Sequence, residues 1–278
     1  MRRTKLPSGE LVPILGQGTW QLGDSAKRRS GEIAALQLGI DLGMTLIDTA
    51  EMYGDGASEE LVADAIADRR EKVFVVTKVL PSNAKSKSRI IAACEGSLRR
   101  LRIECIALYL LHWRQSEKLT EVLGAFTELV DAGKIRYWGV SNFDIADLEE
   151  LQQLPGGDAV ATNQVLYNIS RRGIEFDLLP ECRNRGVTVM AYSPIEQGRL
   201  LGNKVVANIA KRHDATPAQI ALAWAVRQDG VVAIPRASSS AHVRENHGAL
   251  NITFSSQDLE EIDRAYPPPK RQRSLEMI

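Results

Sequence analysis

Short apolar runs rich in Val, Ile and Leu alternate along the chain with longer segments whose apolar residues recur at helical spacing. That alternation is the pattern of repeated β-α units wound around a parallel sheet. Eight runs are present, centred on Ile14-Leu15, Leu46-Ile47, Phe74-Val76, Leu108-Leu111, Tyr137-Val140, Ala161-Thr162, Val189-Ala191 and Val231-Ile234. They lie roughly 25 to 40 residues apart, which suits an α/β fold of the (β/α)8 TIM-barrel class. No Pro/Gly/Ser-rich linker interrupts them, so residues 1–278 are expected to form a single barrel domain.

The segments between the runs carry helix signals. Ser58 ahead of Glu59 and Glu60 reads as an N-cap with favourable first-turn charge, followed by an apolar face of Leu61, Val62, Ala65 and Ile66. Leu119, Val122, Leu123, Phe126, Leu129 and Val130 form a second such face, stopped by Gly133. Thr216-Pro217 opens a third, with Ile220 and Trp224 on one side. Thr4-Lys5-Leu6 and Glu10-Leu11-Val12 flank the turn residues Pro7-Ser8-Gly9, predicting an N-terminal β-hairpin outside the barrel. Ser255 to Tyr266 predicts an extra C-terminal helix, and Pro267 to Ile278 an irregular tail.

Composition narrows the field of partners. The 278 residues suit one barrel of about 250 residues. With 35 basic and 35 acidic residues, no long-range field draws the chain to nucleic acid or an anionic membrane. The opening MRRTKLPSGE lacks the apolar run of a secretory signal, so a cytoplasmic protein acting on a small molecule is expected. Cys94, Cys105 and Cys182 are widely spaced and odd in number, consistent with reduced, buried thiols.

In such a barrel the chemistry sits at the C-terminal ends of the strands. Residues there are Gly18, Thr19 and Trp20 after the first run, Asp48 and Tyr53 at the second, Lys78 after the third, and His112 and Trp113 after the fourth. The later runs supply Ser141-Asn142, Asn163-Gln164, Tyr192-Ser193 and Arg236. Singly, each has a bland reading as a cap, a core aromatic, a solvated charge or a structural histidine. Their joint placement on adjacent strand ends is what points to chemistry.

Tyr53 is a poor acid at neutral pH, and Lys78 is its natural activator. An ammonium about 4 Å away contributes about 4 kcal/mol at an effective dielectric near 20, enough to bring a phenol near neutrality. Burial would strip Lys78 of its proton unless a carboxylate opposed it, and Asp48 is placed to do so. His112, neutral, would polarise a carbonyl. These groups move a proton but supply no electrons, so a hydride donor must bind beside them. No HExxH spacing or Cys cluster marks a metal site, and GVSNF around Ser141 lacks the second glycine of a hydrolase elbow. Gly16-Gln17-Gly18 has Gln21 where a dinucleotide fingerprint needs glycine, so it is not read as one. A better anion site is Ile234-Pro235-Arg236-Ala237-Ser238-Ser239-Ser240 leading into a helix, which also reads as an ordinary Ser-capped start.

Several stretches resemble the aldo-keto reductase family. They are LGQGTWQLG (Leu15–Gly23), IDTAEMYGDGASEELVADAI (Ile47–Ile66), GKIRYWGVSNF (Gly133–Phe143), ATNQVLYN (Ala161–Asn168), MAYSPI (Met190–Ile195) and AIPRASSSAHVREN (Ala233–Asn246). The resemblance spans nearly the whole chain and is greatest to bacterial small-aldehyde and methylglyoxal reductases. It implies reduction of small aldehydes and ketones with NADPH by a monomer, with Asp48, Tyr53, Lys78 and His112 as the catalytic tetrad. It implies that Ser141, Asn142 and Gln164 hold the carboxamide and that Tyr192 stacks on the nicotinamide. Ser193, Pro194, Ile195, Gly198 and Leu200 then belong to the loop over the pyrophosphate. Gly18, Thr19 and Trp20 belong to the first loop, and Trp20 and Trp113 wall the substrate pocket with Tyr53 and His112. Arg236, Ser238, Ser239, His242, Glu245 and Asn246 fall at the adenosine and 2′-phosphate end. Many members have Lys-Ser and then an arginine where this chain has Arg236-Ala237 and His242, which leaves NADH as a second possible donor. The short segment from His112 to Lys118 and the brief tail imply an open pocket. Two other readings stand beside this one: a non-catalytic nucleotide sensor of the same fold, and a glycosidase using Asp48 or Glu51 with a second carboxylate, although no carboxyl pair is evident.

Overall fold

The computed structural model describes residues 1–278. A two-stranded antiparallel hairpin, β1 (Arg3–Lys5) and β2 (Leu11–Pro13), precedes the barrel, with Leu6 N–H donating to Glu10 O and Gly9 left-handed at the turn. Eight parallel strands then run in sequence order: β3 (Gln17–Gly18), β4 (Leu46–Asp48), β5 (Phe74–Val79), β6 (Ile106–Leu111), β7 (Ile135–Ser141), β8 (Thr162–Leu166), β9 (Thr188–Tyr192) and β10 (Val231–Ala233). The sheet closes on itself. Gly16 N–H donates to Ala233 O at 2.8 Å, Ala233 N–H to Ile14 O at 2.8 Å, and Gly18 N–H to Pro235 O at 3.0 Å. A Cβ on Gly18 would overlap Ile234 O, so glycine is what lets the first and last strands meet this closely.

Around the strands lie α1 (Arg29–Asp41), α2 (Ala57–Ile66), α3 (Lys87–Leu101), α4 (Leu119–Asp131), α5 (Ile145–Gln152), α6 (Leu178–Asn184), α7 (Lys204–Arg212), α8 (Pro217–Ala225), α9 (Ser240–Gly248) and α10 (Ser256–Ala265). None is long and apolar enough to cross a membrane. Alternation along the strands sorts side chains into two cores. Leu46, Phe74, Val76, Leu108, Leu110, Met190 and Val232 fill the barrel, plugged from the hairpin side by Leu6 and Val12. Ile47, Val75, Val79, Tyr109, Val165 and Val189 face out to the helices. The inward register therefore ends in Asp48, Lys78, Gln164 and Tyr192, so the same period of two that packs the barrel places the polar groups at its mouth.

Most sequence expectations hold: the hairpin, the stop of α4 at left-handed Gly133, the Thr216 capping box at Pro217, and the last helix capped by Ser255. Two shift. The first run pairs where expected, Leu15 bridging Ala233, but its regular strand is Gln17–Gly18 against β4, with buried Gln17 donating to Leu36 O and Met44 O. Ser58 does not cap α2: Gly56 does, and Ser58 Oγ donates instead to Thr19 Oγ1 at 2.8 Å.

At the far end of the chain Asp258 joins α10 to the end of α7, accepting from Arg212 Nη2 at 2.7 Å and Ser255 Oγ at 2.7 Å and lying 2.9 Å from His213 Nε2. Burial opposes its charge, but Arg212, His213 and Ser255 hold its carboxyl well below the usual aspartate range. A depressed folded-state pKa stabilises above the unfolded value of about 3.9 and the contribution fades as pH falls below it. Asp258→Asn should therefore cost about 1–2 kcal/mol at pH 7. In denaturant melts the gap to the parent should narrow below about pH 4; a gap of constant size down to pH 3 would contradict this assignment.

Candidate active site

Lys78 is the centre of the site and is fully buried at the end of β5. Its Nζ lies 2.9 Å from each Asp48 carboxylate oxygen, donates to Thr49 O at 2.7 Å, and donates to Tyr53 Oη at 3.3 Å. Burial alone would discharge the amine, but Asp48, Tyr53 and the hydrogen bonds outweigh it and hold its pKa above that of an ordinary lysine. Asp48 is fixed in turn by Gln164 Nε2, which donates to Oδ1 at 2.8 Å.

Tyr53 stands on a turn after β4 in which Gly54, Asp55 and Gly56 are all left-handed, at φ 57°, 51° and 93°. Asp55 in that region is strained, so its neighbours must hold the turn in place. The phenol departs from the sequence expectation. Burial raises its pKa and Asp48 adds to that, while Lys78 pulls it down without winning, so Tyr53 lies above the ordinary phenol value instead of near neutrality. The cost of burying a phenolate exceeds what the ammonium gives back.

His112 follows β6, its ring 5.9 Å from that of Tyr53 in an edge-on arrangement and 4.8 Å from that of Trp113. Burial, then the Lys78 charge, pushes its pKa down to about 2, so the imidazole is neutral, as expected. Its Nδ1 is buried without a partner. Trp20 on the first loop is 45% exposed, open to contact a ligand.

Next to these groups runs a chain of amides and hydroxyls. Ser141 Oγ donates to Gln164 O at 2.8 Å, Asn142 Nδ2 to His112 O at 3.3 Å, and Tyr192 Oη to Asn142 Oδ1 at 3.0 Å. Asn142 and Ser193 are both left-handed, two non-glycine outliers at the ends of β7 and β9. The segment Ser193–Gly202 is tied down by buried Glu196, which accepts from Asn168 Nδ2 at 2.7 Å and from Arg171 and Arg199. Leu200 is buried under it, whereas a Cβ on Gly198 would meet only Leu201 within 4 Å. At the rim, Arg236 is exposed and in no ion pair, Ser239 caps α9 by accepting from His242 N–H, and His242 is exposed. Glu245 is half-buried and Asn246 buried.

Thr19 is fully buried, its hydroxyl donating to Asp48 O and receiving Ser58. It supports the site from behind rather than lining it. The tail also differs from the open mouth that its length implied. Glu276 pairs with Arg171 at 3.0 Å and the Ile278 backbone lies beside Tyr192, so the tail returns to the mouth. Sequence reasoning raised Glu51 only as a glycosidase carboxylate, whereas it receives Leu80 N–H and Asn83 at the base of the loop after β5, and it passed over the Asn168–Arg171–Glu196 anchor. Nothing in local spacing marks either.

An acid held on a lysine–aspartate pair, beside a neutral imidazole and an amide array at the mouth of a closed barrel, is one of the arrangements by which a carbonyl oxygen can be protonated. Residues 14–267 match the family described as the aldo/keto reductase family. The chain is an aldo-keto reductase. This aldo-keto reductase is 51% identical to methylglyoxal reductase YeaE of Escherichia coli (strain K12), over 98% of this chain and 97% of that protein. It is 33% identical to the glyoxal reductase of Bacillus subtilis (strain 168), over 93% and 91% of the two chains. Its fold superposes with a TM-score of 0.97 on an aldo/keto reductase from Klebsiella pneumoniae solved with NADP and acetate, 46% identical and covering 99% of each chain.

Proposed function

We propose that the chain reduces small aldehydes and ketones, methylglyoxal-like dicarbonyls and aromatic aldehydes among them, to alcohols with NADPH. This rests on one observation above all: Tyr53 Oη hydrogen-bonded to a Lys78 that Asp48 keeps charged, at the barrel mouth and facing His112. The relatives named for methylglyoxal and glyoxal reduction, and the related structure holding NADP, favour the same substrate class and cofactor.

The residues present fit a nicotinamide dinucleotide. Asn142 and Gln164 offer amides for a carboxamide, Tyr192 a ring for stacking, and open Gly198 a place for backbone to approach a pyrophosphate. Unpaired Arg236, with Ser238 and the free N–H groups at the start of α9, suits a 2′-phosphate. When bound, the nicotinamide supplies the hydride. The chain's own part is to hold the carbonyl oxygen between the Tyr53 hydroxyl and the ring nitrogen of His112 that is not buried, to exclude water with Trp20 and Trp113, and to deliver the Tyr53 proton to that oxygen. Lys78 then meets the phenolate as a cation. A phenol above its ordinary pKa keeps its proton across neutral pH until charge develops on the substrate oxygen.

The test is loss of NADPH absorbance with methylglyoxal and a nitrobenzaldehyde, with NADH in parallel. Multiple turnovers, faster with NADPH, are expected. Tight NADPH binding without turnover on any aldehyde would instead identify a nucleotide sensor.

A further inference from the structure

Beneath the mouth, on the outer side of the barrel wall, lies an ion pair that the proposed chemistry does not use. Glu59, in the first turn of α2, is 0% exposed. Thr77 Oγ1 donates to its Oε1 at 2.6 Å and Arg100 Nε to its Oε2 at 2.6 Å. Thr77 is the residue before Lys78 and points outward where Lys78 points inward. Arg100 comes from the last turn of α3 and passes directly under the turn that carries Tyr53. A Cβ on Gly56 would overlap its side chain, and one on Gly96 would crowd its guanidinium. Two glycines, one of them left-handed, therefore make the channel through which Arg100 reaches Glu59. One residue away, Ser58 Oγ bonds to Thr19 and lies 3.3 Å from Thr49 Oγ1, next to Asp48.

We infer that the Glu59–Arg100 pair is a positioning device that sets the Tyr53–Lys78 contact, joining the strand that carries the lysine to the turn that carries the phenol. The inference rests on the reading of Tyr53 as the proton donor. At 3.3 Å that contact is already at the long end for a hydrogen bond, and the Tyr53 turn holds one non-glycine residue, Asp55, in the left-handed region. A buried carboxylate holding both segments is a costly way to fill the space unless geometry is what it secures. If the turn relaxes outward, Lys78 pulls less on the phenol. The acid then weakens, and its titration moves to higher pH.

Glu59→Gln keeps an acceptor for Thr77 but removes the negative charge that faces Arg100. Expected in single-turnover measurements with NADPH prebound is a fall in hydride-transfer rate of at least tenfold, with NADPH affinity by fluorescence within twofold of the parent. The limb of the pH–rate profile assigned to Tyr53 should move up by half a unit or more, both in reduction and in alcohol oxidation. Arg100→Lys, which keeps Glu59 paired but lacks the planar group beside Gly56 and Gly96, should shift the limb in the same direction by less. It carries the test if Glu59→Gln does not fold. An unshifted limb in the folded variant, whether the rate is unchanged or falls in proportion to its folded fraction, would overturn the inference. A parent enzyme that does not turn over at all would overturn the functional reading itself.

Discussion

Tyr53→Phe is expected to lower kcat for aldehyde reduction by a factor on the order of 10³, within the range of about 10²–10⁴ for a positioned general acid. NADPH affinity should change less than threefold. The size follows from the lack of a substitute. His112 has a pKa pushed down to about 2, so it carries no second proton to give. Lys78 is held by Asp48 and Thr49 O on the buried side, and losing its proton would leave Asp48 charged and unpaired at 2% exposure. The variant should fold, since Phe fills the same space and only one 3.3 Å hydrogen bond is lost, costing about 1 kcal/mol. The pH dependence of the parent completes the test. With a phenol above its ordinary value, reduction should stay flat through neutral pH and decline only in the alkaline range, while oxidation should rise there. A Tyr53→Phe enzyme retaining a tenth or more of the parent rate would remove Tyr53 from the acid's place.

The sequence made the barrel and its mouth legible because both follow from one periodicity. Leu46, Val76 and Met190 fill the interior, and the next inward positions on their strands are Asp48, Lys78 and Tyr192, so finding the strands also finds the polar ring. The expectation failed where a polar side chain was committed to a distant partner. Gln17 does not read as strand because its side chain is committed to Leu36 O within α1 and Met44 O beyond it. Ser58 looked like a cap because nothing local reveals that Thr19, 39 residues away, takes its hydroxyl. Glu59 is the first-turn charge that its place predicts, but its burial and its partner Arg100, 41 residues on, leave no local sign. The acidity of Tyr53 was misjudged on different grounds. A distance between two charges can be guessed from strand order, whereas the water removed from around a phenol depends on the whole mouth, including Trp113 and the returning tail.

Lys78→Met should cost more than catalysis. The butylammonium is replaced by an apolar chain of similar length, leaving the Asp48 carboxylate at 2% exposure with Gln164 Nε2 as its remaining side-chain donor. Breaking a buried pair from one side costs about 3–5 kcal/mol, so a large drop in Tm is expected along with near-complete loss of turnover. Stability and chemistry separate in the double variant Asp48→Asn/Lys78→Met. Its asparagine can still accept from Gln164 through Oδ1 and carries no charge to strand, so most of the lost stability should return, with a coupling energy of about 2 kcal/mol or more in the double-mutant cycle. Activity should not return, because nothing then opposes the charge that forms on Tyr53 when its proton leaves. Should the double variant melt as low as the single one, the Asp48–Lys78 interaction is not what stabilises the barrel mouth. Should it regain turnover, the cation is not what makes the phenol an acid.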